Sequence, residues 1–122
     1  MASRTEQINE VLQTLKSDMS DVVASVLVSV DGLVLASQLP PDISQENIGG
    51  VVATLLQLTQ RAASELRQGA MEQVMIQSEE GFSFIVGASE STFLVVLSKK
   101  GSTLGLLMAN AKNAARGIAE IM

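Results

Sequence analysis

The sequence contains neither cysteine nor histidine. Without cysteine it can form no disulfide, offers no thiolate nucleophile and has no thiolate ligand for a metal. Without histidine it lacks the usual general base near neutral pH, a common zinc ligand and the residue that activates a serine or cysteine nucleophile. These absences exclude most classes of enzyme, so we expect no catalytic residue, no cofactor and no metal site.

Positive charge and aromatic side chains are also scarce. The chain has 8 basic residues against 13 acidic ones, a net charge of -5, and its only aromatic residues are Phe82, Phe84 and Phe93. The one pair of adjacent cations is Lys99 and Lys100. Nucleic-acid binding requires a basic surface, and the binding of single strands also uses aromatic stacking. We therefore do not expect nucleic acid as a partner.

Long apolar runs are missing, although hydrophobic residues make up 47% of the chain. No stretch approaches the ~18 uninterrupted apolar residues that a membrane-spanning helix needs. The segment from Met1 to Glu6 is polar, unlike a secretory signal. We therefore expect a cytoplasmic protein without a membrane span. A length of 122 residues suits a single domain, 1–122, with one hydrophobic core.

Amphipathic helices are predicted at both ends of the chain. Ser3 and Glu6 have the spacing of a capping box, and apolar residues then recur at helical intervals to about Ser17. A last helix follows Lys99–Gly101, and its apolar face consists of Leu104, Leu107, Met108, Ala111, Ala115, Ile118 and Met122. Ser102 is the expected cap of this helix. A phosphate site at this helix start is the alternative, but the segment lacks the pattern of a phosphate-binding loop.

A hairpin of two strands is predicted from Val22 to Val30 and from Leu33 to Ser37. Asp31-Gly32, between the strands, favours positive φ at both turn positions and therefore indicates a tight turn. Asp31 is a residue type that such a turn requires, and we prefer this role to that of a catalytic carboxylate.

A central helix is predicted to begin near Ser44, after the loop Leu39–Asp42. Gly69 is expected to close it as a left-handed cap, and Gly49-Gly50 near its start should let another backbone approach. Its main apolar stripe is predicted to consist of Ile48, Val51, Val52, Leu55, Thr59, Ala62 and Leu66. The helix also carries a surplus of apolar surface partly outside this stripe, at Leu56, Leu58 and Ala63.

Three further strands are predicted at Glu72–Ser78, Phe82–Ala88 and Thr92–Ser98, joined by two short turns. The last strand is apolar on both faces, which is typical of a central strand, whereas the first is more polar and suits an edge. The fold class is therefore an α/β (α+β) sandwich with the order α-β-β-α-β-β-β-α around a five-stranded antiparallel sheet. We expect the central helix on one face of the sheet and the two terminal helices on the other.

Two segments resemble the Roadblock family: Val26–Ser37, which contains the predicted hairpin, and Leu94–Ile118, which contains the helix start Leu104-Gly105-Leu106-Leu107. The order of elements matches along nearly the whole chain. The resemblance implies a profilin-like sheet, a homodimer and a platform for a Ras-like small GTPase. It also implies relatives of the MglB type, which activate a polarity GTPase, and eukaryotic relatives in dynein and in lysosomal scaffolds that hold Rag GTPases.

The predicted edge strand provides a physical reason for dimerisation. Glu72–Ser78 leaves unpaired amides and carbonyls, which pairing with its own copy would satisfy. The central helices would then lie side by side and cover each other's surplus apolar surface. The expected interface consists of Val52, Leu56, Thr59, Ala63, Met71, Val74, Met75 and Ile76. For Met71 and Met75 we prefer packing in the core or the dimer to an adaptable binding patch.

Three functions are compatible with these features. The leading hypothesis is a non-catalytic homodimeric regulator or scaffold that binds a Ras-like GTPase in trans, since the chain has no phosphate loop of its own. Arg61 or Arg67 could act on that GTPase as an arginine finger, but a rigid helix favours ion pairing or solvent exposure instead. The alternatives are a structural adaptor without effect on GTP turnover, and a small-ligand sensor, which would need a polar-lined pocket.

Overall fold

The computed structural model describes residues 2–122, and within them three helices and five strands follow in the predicted order. The helices are α1 (Arg4–Asp18), α2 (Gln45–Glu65) and α3 (Leu104–Ile121). The strands are β1 (Val22–Ser29), β2 (Val34–Gln38), β3 (Gln73–Ser78), β4 (Gly81–Ser89) and β5 (Thr92–Lys99). All neighbouring strands are antiparallel, and their order across the sheet is β2-β1-β5-β4-β3. Apart from the end of α2, the predicted boundaries agree with the observed ones to within one residue.

Strand β5 lies at the centre of the sheet and has a hydrophobic core on each face. Leu94 and Val96 belong to the core that α1 and α3 cover. Val95 belongs to the core beneath α2, together with Val26 and Val28 of β1. The central position of β5, the edge position of β3 and the placing of the terminal helices opposite α2 are therefore confirmed.

The turn between β1 and β2 is longer than predicted. The Ser29 carbonyl accepts the Gly32 N–H, and the Ser29 N–H donates to the Leu33 carbonyl, both at 2.9 Å. Gly32 has a φ of +90°, whereas Asp31 does not have a positive φ. The prediction of positive φ at both positions was wrong, because a three-residue loop needs only one left-handed residue. The expected turn position of Asp31 is confirmed, and its side chain is exposed.

The same turn makes a close backbone contact with α2. A β-carbon built on Gly49 would overlap the carbonyl oxygen of Gly32, so only glycine fits at position 49. A β-carbon built on Gly50 would meet nothing within 4 Å. The expected close approach near the start of the helix is therefore confirmed, and the approaching backbone is the chain's own hairpin.

The C-terminus of α2 is closed by Arg67. The Gln68 N–H donates to the Ala63 carbonyl at 2.9 Å and the Arg67 N–H to the Ser64 carbonyl at 3.0 Å, while Arg67 has a φ of +57°. This is the hydrogen-bond pattern of a Schellman motif, with arginine at the left-handed position that glycine usually occupies. The prediction that Gly69 closes the helix was wrong, because these bonds already satisfy the last carbonyls two residues earlier.

The N-terminal caps agree with the sequence in two helices and differ in the third. Ser3 Oγ accepts the Glu6 N–H at 3.2 Å, and Ser44 Oγ accepts the Asn47 N–H at 3.3 Å. In α3 the N-cap position belongs to Thr103, whose side chain makes no capping bond. The prediction that Ser102 caps α3 was wrong, because its hydroxyl donates to the Lys99 carbonyl instead.

Gly49→Ala should destabilise the fold by about 1–3 kcal/mol, because the added carbon must displace the hairpin turn. Gly50→Ala is the matched control and should stabilise the fold by about 0.5–1 kcal/mol, since alanine favours the helix and meets no other atom there. Denaturant-induced unfolding of both variants measures the difference. Equal stability of the two variants would contradict the close contact between the backbones.

Arg67→Gly should stabilise the fold by about 1 kcal/mol, because glycine adopts a positive φ without the clash of a β-carbon. Arg61→Gly, in the interior of α2, should destabilise it by about 1 kcal/mol, since glycine disfavours the helix. Thermal unfolding under identical conditions compares the two variants. If both lose stability, Arg67 is not strained.

Candidate functional site

The two edges of the sheet differ in how well they are protected. β2 has only five residues, pairs with β1 across a register slip, is followed by Pro40 and Pro41, and contacts α1. β3 pairs with β4 without a slip and contains no lysine or proline. Short strands, bulges, proline, lysine and covering helices are the usual protections of an edge. The edge of β3 is therefore the one open to another strand.

Helix α2 covers only part of its face of the sheet. It packs mainly against β1 and β2. Val52 and Leu56 point into this contact and are buried among Val26, Val28 and Ile85. On the same face, Ile85 of β4 is still buried beneath α2, whereas Ile76 of β3 is 38% exposed.

The buried face of α2 differs from the predicted stripe. Leu56, expected partly outside the stripe, is 5% exposed and lies in the core. Val51 and Leu66, expected within it, are 66% and 69% exposed. The prediction was wrong because apolar residues occur almost all round this helix, so the helical period does not select one face. The contact between Gly49 and Gly32 fixes which face turns inward.

A strip of apolar side chains lies on the outer side of α2. Val51 and Leu58 are 66% and 63% exposed, and Leu55 is half-buried between them. Val51 and Leu55 also line a groove of about 430 Å³ between α2 and the sheet, into which Ile76 of β3 projects. We call this region the α2–β3 surface: Val51, Leu55, Leu58 and Ile76 together with the free edge of β3.

The predicted interface residues of α2 lie mostly inside the subunit. Val52 and Leu56 are buried against the chain's own sheet, so they have almost no area left to offer a partner. Thr59 and Ala63 are half-buried, and the Thr59 hydroxyl donates to the Leu55 carbonyl at 2.9 Å. The large apolar side chains that are exposed on α2 and at its C-terminal cap are instead Val51, Leu58 and Leu66, which the predicted interface does not include. The sequence could not reveal that these side chains are exposed, because their exposure depends on how α2 is rotated about its own axis.

The predicted interface residues in and before β3 divide between the two faces of the sheet. Met71, Val74 and Ile76 lie on the α2 side, and Ile76 is 38% exposed. Met75 packs against the core of α1 and α3 on the other side. The Met71 N–H donates to Gln60 Oε1 at 3.0 Å, which joins the end of α2 to the start of β3. Of these residues, Ile76 therefore lies on the α2–β3 surface. Met75 belongs to the same edge strand, but its side chain lies on the opposite face of the sheet.

The charged candidates do not converge on one place. Lys99 Nζ lies 3.2 Å from Asp21 Oδ1, so one of the two adjacent cations already has an acidic partner. Arg61 and Arg67 are both exposed near the C-terminal end of α2. This arrangement agrees with a solvated connection at Lys99–Ser102 rather than with a phosphate site.

A second cavity, of about 490 Å³, lies between α1 and α3 and is lined partly by Glu10, Asp18, Asn110 and Asn113. It is an open cleft on the side of the sheet away from the α2–β3 surface. Within residues 2–122 no three carboxylates come together as a metal site would require. No helix in that range has the length and apolar character needed to cross a membrane.

Known proteins resemble this chain in sequence and in fold. The uncharacterized protein MJ1340 of Methanocaldococcus jannaschii is 38% identical over 97 residues, which cover 80% of this chain and 84% of that protein. A structure of MglB with tetrameric arrangement has a TM-score of 0.90 at 23% identity, covering 99% of this chain and 91% of that one. A chain of the LokiProfilin2/rabbit actin complex has a TM-score of 0.71 at 12% identity, with 100% of both chains covered.

These structural likenesses establish the profilin-like fold that the resemblance to the Roadblock family implies. The family model of the Roadblock/LC7 domain matches residues 8–98, from the first buried residue of α1 to the penultimate residue of β5. This range contains the whole of α2, the first four strands and all but the last residue of β5. The chain therefore belongs to the Roadblock/LC7 domain family.

Proposed function

We propose that this protein is a non-catalytic cytoplasmic homodimer that binds a Ras-like small GTPase in trans and activates it in the manner of MglB. The observation that carries the proposal is the α2–β3 surface, where an unprotected strand edge adjoins an exposed apolar helix face. Family membership and the likeness to MglB support the choice of a GTPase as the partner.

The two parts of the α2–β3 surface favour the same partner, a second copy of the chain. Two β3 edges satisfy each other's main-chain groups, and a two-fold axis beside them brings the two α2 helices together. Val51 and Leu58 of each subunit then leave water, which stabilises the dimer in proportion to the apolar area buried. The dimer presents a continuous, two-fold symmetric layer of two helices, which is a suitable platform for a globular partner.

Regulation of a GTPase follows from unequal affinity for its nucleotide states. The GTP-bound partner has conformations that are competent for hydrolysis and others that are not. If the dimer binds the competent conformation more tightly than the others, it shifts the partner's switch loops toward that conformation. Arg61 and Arg67 are exposed on each α2 end and are available to pair with acidic groups of the partner. We favour this reshaping of the partner's own loops over an arginine finger, because Arg61 is held on a rigid helix.

Leu58→Glu should weaken the homodimer by at least about tenfold, or about 1.4 kcal/mol, because a carboxylate would be buried between the helices. Leu33→Glu is the matched control, since Leu33 is 66% exposed on the β1–β2 turn and Leu58 is 63% exposed. Sedimentation velocity over a dilution series measures both variants, and circular dichroism checks their fold. Equal sedimentation of the two variants would exclude α2 from the interface.

Addition of the protein should accelerate GTP hydrolysis by a Ras-like GTPase encoded in the same genome, and a complex should form with only one nucleotide state. Phosphate release and gel filtration with the GDP-loaded and GTP-loaded GTPase measure the two effects. A stable complex with unchanged turnover at saturation would favour the adaptor function instead.

Arg61→Ala and Arg67→Ala should each reduce that acceleration by less than about tenfold, because neither arginine enters the GTPase active site under this mechanism. An arginine finger is worth roughly 10³–10⁵ in rate. The same phosphate-release assay with each variant separates the two mechanisms, and a loss of a thousandfold or more would identify a finger.

A further inference from the structure

The chain that follows α2 projects into solvent. Residues 66–70, which we call the α2 cap, are all exposed, and Leu66 at 69% is the most exposed large apolar side chain in the part of the chain that the structure describes. An apolar side chain stabilises its own subunit only when it is removed from water. Single exposed leucines are common on protein surfaces, so Leu66 alone does not indicate a binding site.

Arg67, the next residue, has a conformation that stability alone does not favour. Its φ is +57°, and within residues 2–122 it is the only residue other than glycine with a positive φ. The left-handed conformation brings the β-carbon close to the following carbonyl oxygen, which glycine avoids because it has no β-carbon. Residues held in such conformations occur preferentially at functional sites. An arginine at this position therefore points to a role outside the fold.

The side chain of Arg67 makes no polar contact that would compensate for this strain. It is exposed, and among residues 2–122 its guanidinium has neither a hydrogen-bond acceptor nor an ion-pair partner. A guanidinium carries five N–H donors and a permanent positive charge. All of these donors are consequently available to another molecule.

The α2 cap is anchored at both ends although it is exposed. At its start, the two main-chain bonds of the Schellman motif connect it to the last turn of α2. Just after its end, the Met71 N–H donates to Gln60 Oε1 at 3.0 Å, which ties the chain back to the same helix. A segment that is already ordered loses little conformational entropy when it binds. The cap therefore presents Leu66 and Arg67 in a fixed arrangement.

A leucine beside an unpaired arginine suits a protein partner that has a carboxylate next to an apolar surface. The planar guanidinium can bind a carboxylate through two parallel hydrogen bonds, and arginine is among the residues that contribute most to protein interfaces. Leu66, packed beside this pair, would exclude water and so strengthen the electrostatic attraction.

The α2 cap lies at one end of the helix layer that we propose as the platform for the GTPase. Leu66 follows Leu58 by eight residues, which corresponds to about 12 Å along a helix axis. Helix α2 ends at Glu65, so the cap extends beyond the strip of Val51 and Leu58 that we assign to the homodimer. This position leaves the cap for the partner that binds the platform.

We propose that the α2 cap anchors the GTPase to the platform, with Arg67 bound to a carboxylate of the GTPase and Leu66 packed beside that pair. This inference rests on the function proposed above and adds the residues that hold the partner. It assigns Arg67 to affinity and not to the chemical step. Arg67 is then neither an arginine finger nor a residue kept for the stability of the helix end.

Arg67→Gly is the most informative variant, because it should improve the fold and impair binding at the same time. Removal of the strain should raise the unfolding temperature by about 4 °C. Loss of the guanidinium should weaken the complex with the GTP-loaded GTPase by at least about tenfold. Thermal unfolding and isothermal titration calorimetry measure the two effects. A purely structural role would change stability and affinity in the same direction.

Arg67→Ala and Leu66→Ala should also weaken the complex by about tenfold, while GTP hydrolysis at saturating concentrations of either variant changes by less than about tenfold. Arg67→Lys keeps the charge but loses the paired hydrogen bonds, so its affinity should lie between those of the unaltered protein and Arg67→Ala. Arg116→Ala and Leu106→Ala are the matched controls. Both side chains are exposed on α3, across the sheet from α2, and their loss should leave the affinity unchanged.

The outcomes separate this inference from the proposed function. Weaker binding by all the α2-cap variants, with intact homodimers and unchanged controls, would confirm the anchor. Unchanged affinity of Arg67→Gly and Arg67→Ala, for a GTPase that binds the unaltered protein, would overturn the anchor and leave the proposed function in place. Dissociation of the homodimer by Leu66→Ala or Arg67→Ala, measured by sedimentation velocity, would assign the cap to the second copy and also overturn the anchor. If the unaltered protein binds no Ras-like GTPase of the same genome, both proposals are wrong.

Discussion

The central strands β1 and β5 are apolar on both faces, and this requires a layer of helix above and below the sheet. The two layers are unequal, because α1 and α3 share one face while α2 lies alone on the other. Five strands at ~4.8 Å spacing measure about 19 Å from the first to the last, whereas one helix is about 10 Å across. A single helix therefore cannot cover the whole of its face of the sheet. The uncovered part of that face contributes to the α2–β3 surface.

The position of α2 decides which part of the face is left open. Gly49 fits against the carbonyl of Gly32 in the β1–β2 turn, and this contact holds the start of the helix over the β1–β2 side. The same contact fixes the rotation of the helix, with Val52 and Leu56 inward and Val51 and Leu58 outward. The open groove consequently lies beside β3, next to the one unprotected edge. The contact between Gly49 of α2 and the β1–β2 turn thus determines where the open groove lies.

Much of the fold could be predicted from local patterns. The double-sided apolar pattern of β5 and the alternation in β3 indicated the centre and the edge of the sheet, and both positions are confirmed. The rotation of α2 could not be predicted, because its apolar residues surround the helix and the decisive contact with Gly32 comes from a distant part of the chain. The left-handed cap at Arg67 was also missed, because glycine is the residue that signals such a cap and Gly69 stands two positions later. The interface itself stays a prediction.

A dimer in which both edges and both α2 helices meet would extend the sheet from five strands to ten and place two helices on its exposed face. The most direct test of this account is hydrogen exchange at the amides of β3 that are not bonded to β4, measured over a range of protein concentrations. The account predicts strong protection where the protein is dimeric and loss of that protection on dilution to the monomer. Free exchange of these amides in a protein that sediments as a dimer would contradict it.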